Sequence, residues 1–106
     1  MDEVTLANKS YQLVCKDLGL EEEMNFEGFD NAFDRLEEHL ATQVAYLLNH
    51  DFNRLLNSLY RIDVPEHQVQ NILHQSRPDN ISLELARAII GREKQKVITR
   101  LMYSSS

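Results

Sequence analysis

Residues 26–49 read FEGFDNAFDRLEEHLATQVAYLLN, and the fold class follows from how their apolar side chains are spaced. At 100° steps, Phe26, Phe29, Phe33, Leu36, Leu40, Val44, Leu47 and Leu48 fall within an arc about 120° wide. Arg35, His39 and Thr42 point away from it. Asp30, Asp34 and Glu38 run along one flank, at the four-residue spacing that stacks side chains on one side of a helix. A strand would bury alternate residues, so the spacing predicts a helix over about 26–49. Three Phe on one stripe put that helix at the expected centre of an all-helical core.

Further helices follow on both sides. Val4, Ala7, Tyr11, Val14 and Leu18 form one seam, which predicts a helix over about 2–18 stopped by Gly19. Glu21, Glu22 and Glu23 then read as a solvated connection, and residues 1–25 are left open as a peripheral unit. Downstream, Asp51 is the expected N-cap of a helix over about 52–62 with Phe52, Leu55, Leu56, Leu59 and Ile62 inward. The apolar spacing also runs on from Leu48 to Phe52, so one long kinked helix stays open. Asp63, Pro65 and Glu66 have the order of a helix start with a capping box, which predicts a short helix over about 64–75 anchored by Val69, Ile72 and Leu73. After a loop containing Pro78, Asp79 or Asn80 would cap a last helix over about 81–103, and 104–106 form a frayed tail.

The last helix changes character along its length. Ile81, Leu83, Leu85, Ala86, Ala88, Ile89 and Ile90 point nearly all round and should be covered on several sides. Beyond Gly91, Val97, Ile98 and Leu101 face inward and Arg92, Lys96 and Arg100 outward. Lys94 falls inside the apolar arc. It either buries its stem and brings its ammonium to water, or marks where the helix meets a partner.

Composition narrows the function. The chain has 106 residues, the size of one domain, with 42% apolar and 26% charged residues. A net charge of −6 argues against non-specific binding to nucleic acid or membrane surfaces. One cysteine, Cys15, leaves no internal disulfide framework, and the first residues carry no apolar signal-peptide run, so the expectation is cytoplasmic. No apolar stretch is long enough to span a bilayer.

No pattern of reactive groups converges. The residues three before His39, His50, His67 and His74 are Leu36, Leu47, Val64 and Asn71, so the Glu-x-x-His pairs of carboxylate-bridged metal bundles are absent. His67 and His74 share a helix face but lack a third ligand. Cys15 reads as a half-buried small hydrophobe, and Gly19, Gly28 and Gly91 are too isolated for a phosphate loop. The expectation is no catalytic residue, no cofactor and no metal.

Charge is divided along the chain. Residues 1–50 carry eleven acidic against three basic residues, and 51–106 carry six against eight. The basic candidate binding surface is Arg92, Lys94, Lys96 and Arg100. Antiparallel packing would pair Asp30 with Arg100, Asp34 with Lys96 and Glu38 with Arg92. Separate solvation of both stripes, or their meeting across a dimer, are the competing placements.

Residues 51–66, DFNRLLNSLYRIDVPE, together with 89–100, IIGREKQKVITR, resemble small uncharacterised all-helical bacterial proteins with no assigned activity. The likeness covers about half the chain, excludes residues 1–25, and implies a bacterial helical domain without bringing any activity or cofactor.

These readings combine into an all-α compact bundle of four or five helices, mostly antiparallel and up-down. The expected core is Phe29, Phe33, Leu36, Leu40, Val44, Leu48, Phe52, Leu55, Leu59, Ile72, Leu85, Ile89, Ile90 and Val97. The expected function is a non-enzymatic interaction or self-association module, its partner another protein or a second copy. The alternative is nucleic-acid binding through the basic face of the last helix.

Overall fold

Helix ends in this chain are set by local chemistry, and that chemistry places five helices among the described residues. A computed structural model describes residues 1–104 and is helical throughout its regular structure, with no strand among the described residues. Helix α1 spans Glu3–Leu18, α2 Ala32–His50, α3 Phe52–Ile62, α4 Glu66–Gln75 and α5 Ile81–Ser104; a 3-10 turn at Pro78–Asn80 leads into α5. The frayed-tail expectation falls mainly on residues 105 and 106, outside the described residues.

Asp2 caps α1 by accepting the Thr5 N–H at 2.7 Å, and Gly19 ends the helix in the left-handed region at φ 67°. Asp51 accepts the Arg54 N–H at 3.2 Å, which separates α2 from α3 and removes the single-kinked-helix alternative. Asp63 acts differently from expectation. It ends α3, with φ 70°, and α4 begins after Pro65 with no side-chain cap. Asp tolerates that left-handed position better than most residues, so the same side chain that reads as a start signal serves as a stop.

The arc that begins at Phe26 is not all helix. Gly28 has φ 86°, the Phe29 N–H bonds the Phe26 carbonyl at 3.2 Å, and α2 starts only at Ala32. Phe26 is still fully buried, by an edge-to-face contact with Tyr11 at 5.6 Å. Phe29, in the turn, stays 37% exposed beneath the Arg35 guanidinium. Phe52, at the first position of α3, is 40% exposed, and Phe33, Leu48 and Ile72 are only partly buried. The remaining nine expected core residues are buried.

Helix α5 is the hub. Glu37 meets Arg87 and Phe33 meets Lys94, so α2 runs antiparallel to α5. Asp17 lies beside Glu93, while Lys9, Gln12 and Leu13 border one groove with Val97, Arg100 and Leu101, so α1 is antiparallel to α5 as well. Two helices antiparallel to a third are parallel to each other, and residues 20–31 make the return that this needs. Cys15, Tyr11 and Asn8 lie along one face of α1. The Cys15 thiol donates to the Glu21 carbonyl at 3.8 Å, the Tyr11 hydroxyl accepts the Glu23 N–H at 2.8 Å, and Asn8 Oδ1 accepts the Phe26 N–H at 3.0 Å.

The N-terminal unit is therefore not peripheral. Ala7, Tyr11, Val14, Cys15 and Leu18 belong to the same hydrophobic cluster as Leu36, Leu40, Leu85 and Ile89. Glu21, Glu22 and Glu23 point to solvent while the backbone beneath them is tied down.

Candidate interaction surface

Arg92, Lys94, Lys96 and Arg100, the candidate binding residues of α5, do not share a face. Arg92 donates to Asp63 Oδ2 at 3.2 Å and to Gln95 at 3.1 Å, on the side of α4. The Lys94 ammonium lies 4.4 Å from the centroid of the Phe33 ring, on the side of α2. Lys96 lies 3.0 Å from Glu93 Oε1. Arg100 is exposed and borders the groove against α1. Since α5 is packed by α1, α2 and α4, a stripe drawn along it is distributed among three neighbours.

The acidic stripe behaves likewise. Glu38 lies 3.9 Å from Arg35 on its own helix, and neither Asp34–Lys96 nor Glu38–Arg92 forms. The contact that does join α2 to α5 is Glu37 to Arg87, at 2.6 Å. The antiparallel sense is as expected, with different residues in contact. Both ends of that pair are partly exposed, so water screens it and its contribution to stability is small.

An apolar groove runs along the outside of the α3–α4 hairpin, with a volume of about 310 Å³. Leu56, Leu59, Val64, Val69 and Leu73 line it. Phe52 and Tyr60, 40% and 62% exposed, stand one turn to either side of Leu56 on the α3 ridge. Glu66, Gln70 and His74 make the α4 ridge, with Gln70 Nε2 donating to Glu66 at 3.3 Å. The sequence assigned Phe52 to the core because it continues the inner spacing of α3. Its place at the helix start, beyond the cover of α5, leaves it at the mouth of this groove.

The other reactive groups stay apart. His67 and Asn71 border the cleft between α4 and α5, while His74 borders the apolar groove on the other side of α4. No group of three or more His, Cys, Asp or Glu able to hold a metal occurs among the described residues. Burial pushes the Cys15 thiol up from its ordinary value, the reverse of what a thiolate nucleophile requires.

One charged residue escaped the sequence reading altogether. Glu93 is 0% exposed, four residues after Ile89 and four before Val97. Burial, reinforced by the Asp17 carboxyl of α1 and opposed by the Lys96 ammonium, raises it to about 7. The spacing Ile89, Glu93, Val97 marks a core position, and an acidic residue in such a position was the available signal.

No family model, no curated protein and no solved structure matches this chain. No helix among the described residues is long and apolar enough to cross a membrane.

Proposed function

We propose that the chain is a non-enzymatic interaction module that captures an amphipathic helix in the α3–α4 groove, with a second copy of itself as the first occupant. The observation that supports this is the groove itself, whose apolar floor continues outward onto exposed Phe52 and Tyr60. A helix lying in such a groove places residues at i, i+3 or i+4, and i+7 against the floor. Ile98, 41% exposed on the outer side of α5, is an apolar group of the kind that such a floor accepts. Lys94, one turn before Ile98 on α5, is opposite in charge to Glu66 on the groove's rim. A reducing bacterial cytoplasm fits the buried, unpaired Cys15.

Tyr60→Trp gives a clean reporter, because the chain has no Trp. As concentration rises, light scattering should give a mass above that of the monomer while the emission of the introduced indole shifts to the blue. Leu73→Asp in the same background should abolish both changes. A constant monomer mass with unchanged emission would overturn self-association. The nucleic-acid alternative needs Arg92, Lys94, Lys96 and Arg100 on one surface, and no observation favours it; filter binding at low salt without retention would end it.

A further inference from the structure

Glu93 is placed where α5 packs on α1, and charge surrounds it unevenly. Its Oε1 meets the Lys96 ammonium of its own helix at 3.0 Å, and apart from that ion pair neither carboxylate oxygen has a hydrogen-bond donor. Across the interface, the Asp17 carboxyl of α1 is near enough to raise the Glu93 carboxyl. Arg61 of α3 donates to the Asp17 carbonyl, at 3.3 Å. The other nearby charges are engaged elsewhere. Arg92 turns to Asp63, Glu37 of α2 holds Arg87, and Lys94 lies over Phe33.

Two carboxyls thus lie close together, with the Lys96 ammonium paired to Glu93 in a place that water does not reach. Fully ionised, the cluster carries one unmatched negative charge, and burying such a charge is costly. With a single proton between the carboxyls, one O–H donates to the other carboxylate and Lys96 balances the charge that remains. Carboxyl pairs of this kind lose their protons in two separated steps.

We propose that Asp17 and Glu93 hold one proton between them, and that this proton is what seats α1 on α5, making the docking of residues 3–18 proton-linked. When the proton leaves to solvent, the repulsion and desolvation both fall on the α1–α5 contact. Loosening there uncovers the face that α1 protects, around Val97 at the bottom of the Lys9–Leu13 groove. The device concerns a different face from the α3–α4 groove and does not depend on what that groove binds.

The sign follows from linkage. The docked carboxyl is raised to about 7 from 4.5, so the docked form binds the proton more tightly. Docking is strongest below the ordinary carboxylate range and weakens as pH rises through neutrality.

Carbon-13 NMR of the Glu93 carboxyl in the full chain tests this directly, with amide exchange measured alongside. The Glu93 carboxyl should titrate near neutrality. Between pH 5 and 8, protection of the α1 amides, corrected for intrinsic exchange, should fall by up to about a hundredfold relative to α2, the factor that about two pKa units supply. Glu93→Gln should remove the neutral step and hold α1 protection flat. Asp17→Asn should move the Glu93 titration downward, because only Lys96 then faces it. Titration of the wild-type Glu93 carboxyl near 4 would overturn the proposal, whether or not the variants fold. So would a pH-dependent step that survives in Glu93→Gln.

Discussion

Tyr11 and Phe26 show how one side chain can hold together segments of different kinds. The Tyr11 ring is buried against Phe26, and its hydroxyl accepts the Glu23 N–H and contacts His39 Nε2 at 3.4 Å. Burial raises the phenol from its ordinary value, so it remains a neutral acceptor. Phe33, by contrast, keeps one face toward the Lys94 ammonium and is only partly buried. The two phenylalanines should therefore respond unequally to truncation. Phe26→Ala should cost about 3–5 kcal/mol, the range for a fully buried aromatic. Phe33→Ala should cost about 1–2 kcal/mol, part of it a cation–π contact of about 0.5–1 kcal/mol. Urea denaturation of both variants at one pH checks the order, and equal losses would contradict the burial difference.

Between elements, α3 holds the C-terminal end of α1. Arg54 Nη2 donates to the Leu18 and Gly19 carbonyls at 2.8 and 2.6 Å, and Arg61 donates to the Asp17 carbonyl. A helix leaves its last carbonyls unpaired and carries partial negative charge there, so two guanidinium groups satisfy both needs. Gly19 makes room for this, since a Cβ at that position would come within 2.9 Å of Arg54 Nη2. Arg54→Met should lower stability by about 1.5–3 kcal/mol, the range for hydrogen bonds to a charged group. Amide protection should fall first around Asp17 to Gly19. Gly19→Ala should cost about 1–2 kcal/mol through its left-handed backbone alone, and more if Arg54 is displaced. A neutral result for Arg54→Met by urea denaturation would show those bonds to be no better than bonds to water.

What the sequence disclosed also divides by range. Gly19 and Asp51 act on backbone groups within four residues, so their caps were readable without tertiary knowledge. Phe26 was assigned to a helix because periodicity cannot separate a helical residue from a turn residue buried by a distant partner. Gly28 beside Asp30 and Asn31 was the local signal that the helix starts later. The charge stripes failed for another reason. Four-residue spacing fixes which side of a helix a charge occupies, but not which neighbour lies there. With α1, α2 and α4 all packed on α5, Arg92, Lys94, Lys96 and Arg100 went to different neighbours. The exposed groove had no sequence signal beyond Phe52 and Tyr60, because it depends on how far α3 and α4 are covered.

For the molecule as a whole, pH brings two groups into opposition. Asp2 is held below its ordinary value, first by the Thr5 backbone N–H, so its contribution is present above the unfolded value of 3.8 and lost as pH falls through the folded one. Glu93 is raised to about 7, so its contribution is complete below 4.5 and lost as pH rises to about 7. The first makes the acid side slope upward with pH, and the second makes the approach to neutrality slope downward. Stability should therefore peak at about pH 5, below the neutral range where many proteins are most stable. Replacing the carboxyl by an amide of the same shape removes the second slope only. Glu93→Gln should match the wild type near pH 4, where both side chains are neutral, and exceed it at pH 8 by about 1–3 kcal/mol. Urea denaturation at intervals from pH 4 to 8 reads both curves, and taking their difference cancels the histidines common to the two chains. A difference that stays constant with pH would mean that Glu93 is ionised throughout, with Lys96 alone sufficient to hold its charge inside the fold.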